Sequence, residues 1–448
     1  MKYPPLAPRQ DSDETDSASS SCDSDTSQTP PEPQRKRALL DEEDESGDVF
    51  GTEQVDIGLM ETRQSIAEAR ALQDEGLAEF RHAEHYDPRV DEVQGINDIR
   101  LRILRVIGTL ANFKERRHPE VQRSYYVELL KKDISEAYGY SLDVVELLIG
   151  VFGPIELHSF VTACEKPRPL TIRVNTLKLK RRELAQILIA RGVNLDPIGD
   201  WCKEGLQIFS SQVPIGATPE YLRGCYMIQD AASFLPPLAL RPQPGERVLD
   251  MSAAPGGKTT HLGGLMQNSG VLVANDLNKE RIPALQANLA RMGITCAIVT
   301  NFDARELTKT MGGFDRILLD APCTGLGVVS KDASIKANRS FKDVQQLSNL
   351  QKELLLAAID LLSKTQKAPR LVCYSTCSVS IAENEAVINH ALRHRNVEVV
   401  DLPFGFGKPG ITRFMTASYH PSISKARRFY PHIHNTHGFF ICLLRLRV

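Results

Sequence analysis

This 448-residue chain lacks a secretion-signal core, and no apolar run in it reads as long enough to cross a membrane. Its 9 cysteines follow no regular disulfide framework, and none pairs with histidine at zinc-ligand spacing. His432, His434 and His437 cluster near the end, but without carboxylate or thiol partners at ligand spacing, so no metal is expected. These absences point to an intracellular protein with reduced thiols and no membrane association. There is no internal repeat, which excludes a solenoid. The glycines form neither the dinucleotide GxGxxG nor a Walker loop.

What is present is ordinary in bulk. A hydrophobic content of 42% and a charged content of 25% fit a soluble protein with a sizeable core. The length predicts about three domains. The net charge of -2 hides an asymmetry, because residues 1–50 hold 13 acidic against 5 basic side chains. The remainder is therefore mildly basic, which is compatible with a nucleic-acid substrate and equally with an ordinary surface.

Residues 1–54 are rich in Ser, Asp, Glu, Thr and Pro and read as a disordered acidic tail. Arg35-Lys36-Arg37 within it has the form of a short nuclear import signal. A helical extension is predicted over 55–120, where Ile99, Ile103, Val106, Ile107 and Leu110 recur at helical spacing. A small α/β domain is predicted over 121–230. It opens with helices at Tyr125 to Tyr138 and Leu142 to Phe152, the second broken by Gly153-Pro154. Strands at Leu170 to Asn175 and Leu206 to Phe209 flank a helix from Arg182 to Ala190, and this sheet unit is expected to end before Tyr226. Arg173 and Asn175 share one strand face, which faces either RNA or solvent.

From 231 to 448 strands and helices alternate. Strands are predicted at Arg247–Asp250, Val271–Asp276, Cys296–Asp303, Phe314–Asp320, Arg370–Ser375, Val397–Leu402 and Gly438–Leu444. Helices between them include Glu280–Met292 and Val344–Ser363. Continuous apolar strands between amphipathic helices imply a buried, mostly parallel, Rossmann-like sheet of seven strands.

The chemistry concentrates where those strands end. Asp250-Met-Ser252-Ala253-Ala254-Pro255-Gly256-Gly257-Lys258 joins a strand to a helix through residues too small to block a ligand. The N–H groups of that helix suit an anion such as an amino-acid carboxylate. Asp276 ends the next strand, where an acidic residue commonly binds ribose hydroxyls, and Asp303 ends the third and suits an adenine amine. Cys323 follows a strand in Asp320-Ala-Pro-Cys323, and Cys377 follows another in Ser375-Thr-Cys377-Ser378. Two thiols and a cofactor loop at the carboxyl ends of one sheet predict covalent chemistry with a bound cofactor. Cys164, Cys202, Cys225, Cys296, Cys373 and Cys442 read as small hydrophobes. Glu383, Asn384 and Glu385 open a helix, with Asn384 read as its cap, and Arg427-Arg428-Phe429-Tyr430-Pro431-His432 suits either RNA contact or packing on the sheet.

The Asp250–Lys258, Asp320–Cys323 and Ser375–Ser378 motifs, in this order, resemble those of the Sun-type RNA (cytosine-5)-methyltransferases. The resemblance runs from about Ile99 to the C-terminus. Tyr138-Gly-Tyr140, Thr171-Ile-Arg-Val-Asn175, Gly192-Val-Asn-Leu-Asp-Pro-Ile-Gly199 and Gln212-Val-Pro-Ile-Gly-Ala-Thr-Pro219 resemble its nucleolar, Nop-type branch. The resemblance implies a class I fold and S-adenosyl-L-methionine as cofactor, held by residues 252–258, Asp276, Asp303 and Asp320. It implies Cys377 as nucleophile on cytosine carbon-6, with Cys323 aiding proton removal and product release. Asp320 is suited to hydrogen-bond the cytosine edge, and Lys258 to lower a nearby thiol pKa. Without the resemblance the two thiol roles are exchangeable. Large-subunit rRNA in a pre-60S particle becomes the expected partner, with assembly factors engaging the acidic tail, in the nucleolus; a monomer is expected. A tRNA-directed relative and a ribosome-assembly scaffold with secondary catalysis are the alternatives. Three departures stand out: Ser252 where a cysteine is usual, Ala382 in the acidic run before Asn384, and no basic tail or RNA-binding domain after Val448.

Overall fold

In the computed structural model two sheets and a layer of helices are built by the segments whose periodicity predicted them. The structure describes residues 85–91, 93–363 and 370–447. The acidic tail, its basic cluster and the helical expectation before residue 85 lie outside the described residues.

The first layer is helical. Ile96–Ala111 buries Ile99, Ile103, Val106, Ile107 and Leu110, the stripe that predicted it, against Arg123–Tyr138. Each such side chain removed from water contributes about 1.5–3 kcal/mol. Gly139, at φ 73°, ends the second helix in the left-handed conformation that glycine adopts without steric cost. Leu142–Cys164 follows, capped by Ser141, and by length and composition it could cross a membrane, which corrects the expectation that no such run exists. Gly153 breaks it into two pieces, each well short of the ~20 residues that a crossing needs. Val144, Val145, Leu148 and Leu157 are buried in the protein's own core.

The small domain has four strands rather than the two expected. β1 (Leu170–Val174), β2 (Val193–Pro197), β3 (Gly205–Ser211) and β4 (Tyr226–Ile228) pair antiparallel in the order β2-β3-β1-β4. The unit therefore runs through Tyr226 instead of ending before it. β2 was missed because Asn194 and Asp196 alternate with its apolar residues over only five positions.

All seven strands expected in the last segment are present in one nine-stranded sheet. They are β5 (Arg247–Asp250), β6 (Val271–Asn275), β7 (Ala297–Thr300), β8 (Arg316–Asp320), β9 (Leu371–Thr376), β10 (Val397–Val400) and β15 (Phe439–Leu446). The two additions are the short strands β11 (Lys408–Pro409), at the edge, and β14 (Arg427–Phe429) beside it; a separate hairpin pairs β12 (Arg413–Phe414) with β13 (Ala417–Ser418). Five strands are parallel, in the order β7-β6-β5-β8-β9. β15 then pairs antiparallel with β9, and β10 and β14 share its other edge. The parallel strands are continuous in apolar residues because helices cover both faces. The chain runs from β5 outward to β7, then returns to β8 on the other side of β5. That reversal opens a crevice beyond the carboxyl ends of β5 and β8.

Candidate active site

The switch point places the ends of β5 and β8 side by side, with β9 next to them. Register sets Asp320 opposite Ser375, and the Ser375 hydroxyl donates to Asp320 Oδ1 at 2.7 Å. Cys323 lies three residues past Asp320, and Cys377 two past Ser375. Their Sγ atoms are 3.0 Å apart. Lys258, in the first turn of the helix Gly257–Leu265, pairs through Nζ with Asp320 Oδ2 at 2.8 Å. The structure thus brings Lys258, Asp320, Cys323 and Cys377 together.

The charges follow from burial and partners. Burial works against the Lys258 ammonium, but Asp320 outweighs it and keeps the pKa above the ordinary value. Cys323 is pushed well above the usual thiol range, first by its hydrogen bond to Cys377 and then by burial. Asp250 rises to about 7, chiefly because it is buried; the Thr259 hydroxyl bond opposes the rise and the Asp320 charge adds to it.

A residue that sequence reasoning read only as part of a helix start holds the two thiol loops together. Glu383 is fully buried. Its Oε1 accepts from the Thr324 N–H at 2.8 Å and its Oε2 from the Thr324 hydroxyl at 2.7 Å. The Ser378 hydroxyl also donates to Oε2 at 2.5 Å, and Gln351 Nε2 to Oε1 at 3.2 Å. One carboxylate therefore grips the residue after Cys323 and the residue after Cys377. Asn384 occupies the cap position but makes no side-chain cap bond. It accepts from the Thr376 hydroxyl and donates to the Ser378 carbonyl instead. The Glu-Asn-Glu run was the only signal in the sequence, and the partners it binds are far away in it.

The loop after β5 is fixed on its far side. Ala254 N–H donates to Asp276 Oδ2 at 3.0 Å, and Asn278 N–H to Oδ1 at 2.9 Å. Gly256, at φ 103°, would place a Cβ 3.1 Å from Leu285, so glycine is required by both conformation and space. Asp303 is gripped by Arg305 through both oxygens, at 2.6 Å for the closest contact. Arg173 and Asn175 face neither RNA nor solvent. Both are buried, and the Arg173 guanidinium donates to Gln229 Oε1, the Gly257 carbonyl and the Thr260 hydroxyl at 2.5–2.7 Å. Asn175 donates to the Gly224 and Met292 carbonyls. Arg173 ties the small sheet to the helix that opens at the loop, and Asn175 ties it to the end of the helix Ile282–Met292. Arg428 likewise is buried, in a two-pronged ion pair with Glu385, and Phe429 and Tyr430 are buried beside it. His432 contacts Glu156, His434 accepts from the Tyr430 N–H, and His437 contacts Asp230.

The residues present fit the expected cofactor. Asp250 Oδ1 is buried without a partner, as suits an ammonium group. The open N–H groups of the first turn at Gly257 suit a carboxylate. Leu277 and Phe302 are exposed apolar side chains beside Asp276 and Asp303, where a flat ring would be held.

Comparison with known proteins follows the same lines. The family profile described as 16S rRNA methyltransferase RsmB/F matches residues 237–445, and that of the N-terminal domain of 16S rRNA methyltransferase RsmF matches 145–231. The chain is 52% identical over 354 residues to the 25S rRNA (cytosine-C(5))-methyltransferase nop2 of Schizosaccharomyces pombe, covering 79% of this chain and 58% of that protein. It is 51% identical over 340 residues to the human 28S rRNA (cytosine(4447)-C(5))-methyltransferase, covering 76% of this chain and 42% of that protein. The chain thus spans about half the length of these curated relatives. A methyltransferase homolog protein from Pyrococcus horikoshii, known by crystal structure, is 36% identical with a TM-score of 0.64, covering 71% of this chain and 99% of the other. With both profiles in order along one chain, and a solved relative matched nearly end to end, the chain belongs to the RsmB/F family, the Sun-type methyltransferases that its motifs resemble.

Proposed function

We propose that the chain is an S-adenosyl-methionine-dependent RNA (cytosine-5)-methyltransferase, acting on large-subunit rRNA during subunit assembly in the nucleolus. The pair of thiols 3.0 Å apart, beside the Lys258–Asp320 ion pair, carries this reading. The large-subunit substrate is favoured by the similarity to 25S and 28S rRNA (cytosine-C(5))-methyltransferases.

Carbon-5 of cytosine is too electron-poor to take a methyl cation unaided. The Cys377 thiolate adds to carbon-6, a carbon–sulfur bond forms, and carbon-5 becomes enamine-like. Asp320 accepts from the cytosine amine edge, and Lys258 holds that carboxylate in place while adding positive potential near the sulfur. Residues 252–257, Asp250 and Asp276 would hold S-adenosyl-methionine, which would supply the electrophilic methyl group. Asp303 would support its adenine end, although Arg305 already occupies both carboxylate oxygens. Before attack, Cys323 retains its proton and donates it toward Cys377. Once Cys377 is bonded to carbon its charge is gone, and with it the largest influence holding the Cys323 proton. Cys323 can then release its own proton to solvent and, as a thiolate, take the carbon-5 proton; the electrons of that C–H bond re-form the ring double bond as the carbon-6–sulfur pair leaves with Cys377 as thiolate. The base must leave its stack to reach this crevice.

The test is adduct trapping on large-subunit rRNA with S-adenosyl-methionine present. Cys323→Ala should accumulate a covalent protein–RNA band, and Cys323→Ala/Cys377→Ala should show none. Accumulation in Cys377→Ala instead would exchange the two roles.

A further inference from the structure

A cavity of 300 Å³ lies between the small sheet and the segment preceding β15. Its wall on the sheet side is one row across three strands: Asp196 on β2, Gln207 on β3 and Thr171 on β1 stand in register. Phe209 shares the Gln207 face of β3 and is 45% exposed, unusual for a ring on a sheet. Across the cavity Trp201 stands beside Phe406, with ring centroids 5.1 Å apart, and Phe406 is backed by Phe429 at 5.3 Å. Arg168 also lines it, but its guanidinium is engaged in the wall: Nη1 donates to the Pro431 carbonyl and Asn435 Oδ1, Nη2 to the Ala163 and Lys166 carbonyls, and Nε is buried. The Gln207 amide makes no side-chain hydrogen bond to another described residue.

The cavity adjoins the crevice on two sides. His437 lines it, and the next residue, Gly438, donates to the Gly327 carbonyl while Gly327 donates to the Cys377 carbonyl, each at 2.8 Å. Asp230 lines it too, paired with Lys331 and His437, and its neighbour Gln229 lies against Gly257 of the cofactor loop. Residues of the cavity wall are thus chain neighbours of residues bonded to the Cys377 loop and packed on the cofactor loop.

We propose that this cavity receives an unstacked base of the single-stranded RNA that flanks the target cytosine, between the Trp201 and Phe209 walls. Its volume is at the small end of ligand pockets, room for one nucleotide. Aromatic faces hold any base by stacking, and the Gln207 amide, which has no side-chain partner among the described residues, can read its edge. This rests on the RNA-methyltransferase reading and adds a specificity determinant to it.

Trp201 is the sole tryptophan in the sequence, so its emission reports this pocket. The full chain is titrated with a short single-stranded RNA carrying one cytosine. A series follows in which each neighbouring nucleotide is made abasic in turn. Labelled-RNA anisotropy, Trp201 emission and methyl transfer are read in the same samples. The expected result is saturable quenching that is lost when one particular flanking position is abasic. Phe209→Leu, which keeps apolar volume without a ring face, should raise KM for RNA about tenfold with kcat within about twofold. Gln207→Ala should shift which base is preferred at that position, which a packing role alone would not do. Bound RNA whose abasic series quenches uniformly, or not at all, overturns the pocket even if methyl is transferred. Position-specific quenching without methyl transfer upholds the pocket and overturns the methyltransferase reading. Equal quenching by free nucleoside monophosphate would mark a small-metabolite site instead, and a chain that binds no RNA overturns both.

Discussion

Glu383 makes no bond to either sulfur, yet its two oxygens set where both thiol loops sit. Replacing it by Gln turns one acceptor into a donor among four donors, so at least one of Thr324, Ser378 and Gln351 loses its partner. Each donor left buried and unpaired costs about 1–3 kcal/mol. A displacement of the sulfurs by an ångström costs about 100-fold in rate. Glu383→Gln should therefore lower single-turnover methyl transfer about 100-fold while leaving the Kd for S-adenosyl-methionine within about twofold; an unchanged rate would remove Glu383 from the account. Asp250 acts on the cofactor side. Its carboxyl rises from an ordinary 3.8 to about 7, so between those values the folded state binds more protons than the unfolded one. This group's contribution to stability is present at low pH and is lost as pH rises through about 7. The ligand's ammonium requires the ionised form, roughly a tenth of molecules at pH 6 and nine tenths at pH 8. Calorimetric titration should show about tenfold tighter cofactor binding at pH 8 than at pH 6. Asp250→Asn should bind more weakly with that pH step removed.

At the scale of elements, Arg173 shows what the sequence could and could not reveal. Alternation in Leu170–Val174 exposed a strand and put Arg173 and Asn175 on one face, but alternation does not say what covers the face. The helix opening at Gly257 covers it at Arg173, more than eighty residues away, and the end of the helix Ile282–Met292 covers it at Asn175. Burial pulls the Arg173 guanidinium down to about 10, and no carboxylate bonds it directly; three neutral acceptors hold it. The strands of the large sheet were legible because buried parallel strands are continuous apolar runs, whereas β11 and β14 were not, being two and three residues long. Asp320, Cys323 and Cys377, at or just past strand ends, were legible for the same reason, since a strand end is marked locally, and Lys258 was legible from the small-residue turn that opens its helix. Glu383 and Gln351 were not, because their partners are set by packing alone. Arg173→Met keeps the apolar stem and removes the donors. It should lower stability by about 2–3 kcal/mol, read by urea unfolding, because hydrogen bonds to a charged group are worth about 1.5–3 kcal/mol each and relaxation recovers part. It should also weaken cofactor binding several-fold, since the Gly257 carbonyl loses its anchor. Lys at this position should not rescue it, having no planar fork to reach three acceptors.

For the whole molecule the question is whether three layers behave as one. The helices from Ile96 to Cys164 share a core with Leu326, Val329 and Ile335, which follow Cys323, and with Val379, which follows Cys377. Met227 of the small sheet shares another with Val248, Leu262 and Leu318 of the large one. The loops carrying the chemistry thus form the floor of one core and the edge of another, and neither flanking layer can leave without exposing them. Coupling of this kind makes unfolding cooperative beyond the size at which two-state behaviour is usual. Scanning calorimetry of the full chain should show one endotherm for these layers. Cofactor at about 100 times its Kd should move that whole endotherm upward by the equivalent of about 2.7 kcal/mol. If the small sheet were an independent domain, two endotherms would appear and the cofactor would move only one. Arg173→Met sharpens the comparison: by loosening the tie between the sheets it should broaden or split the transition, while a surface change such as Lys309→Ala, at an exposed i,i+3 pair, should not. A single endotherm that cofactor shifts in the wild type, and a split one in Arg173→Met, would place the coupling between the small sheet and the large one at that guanidinium.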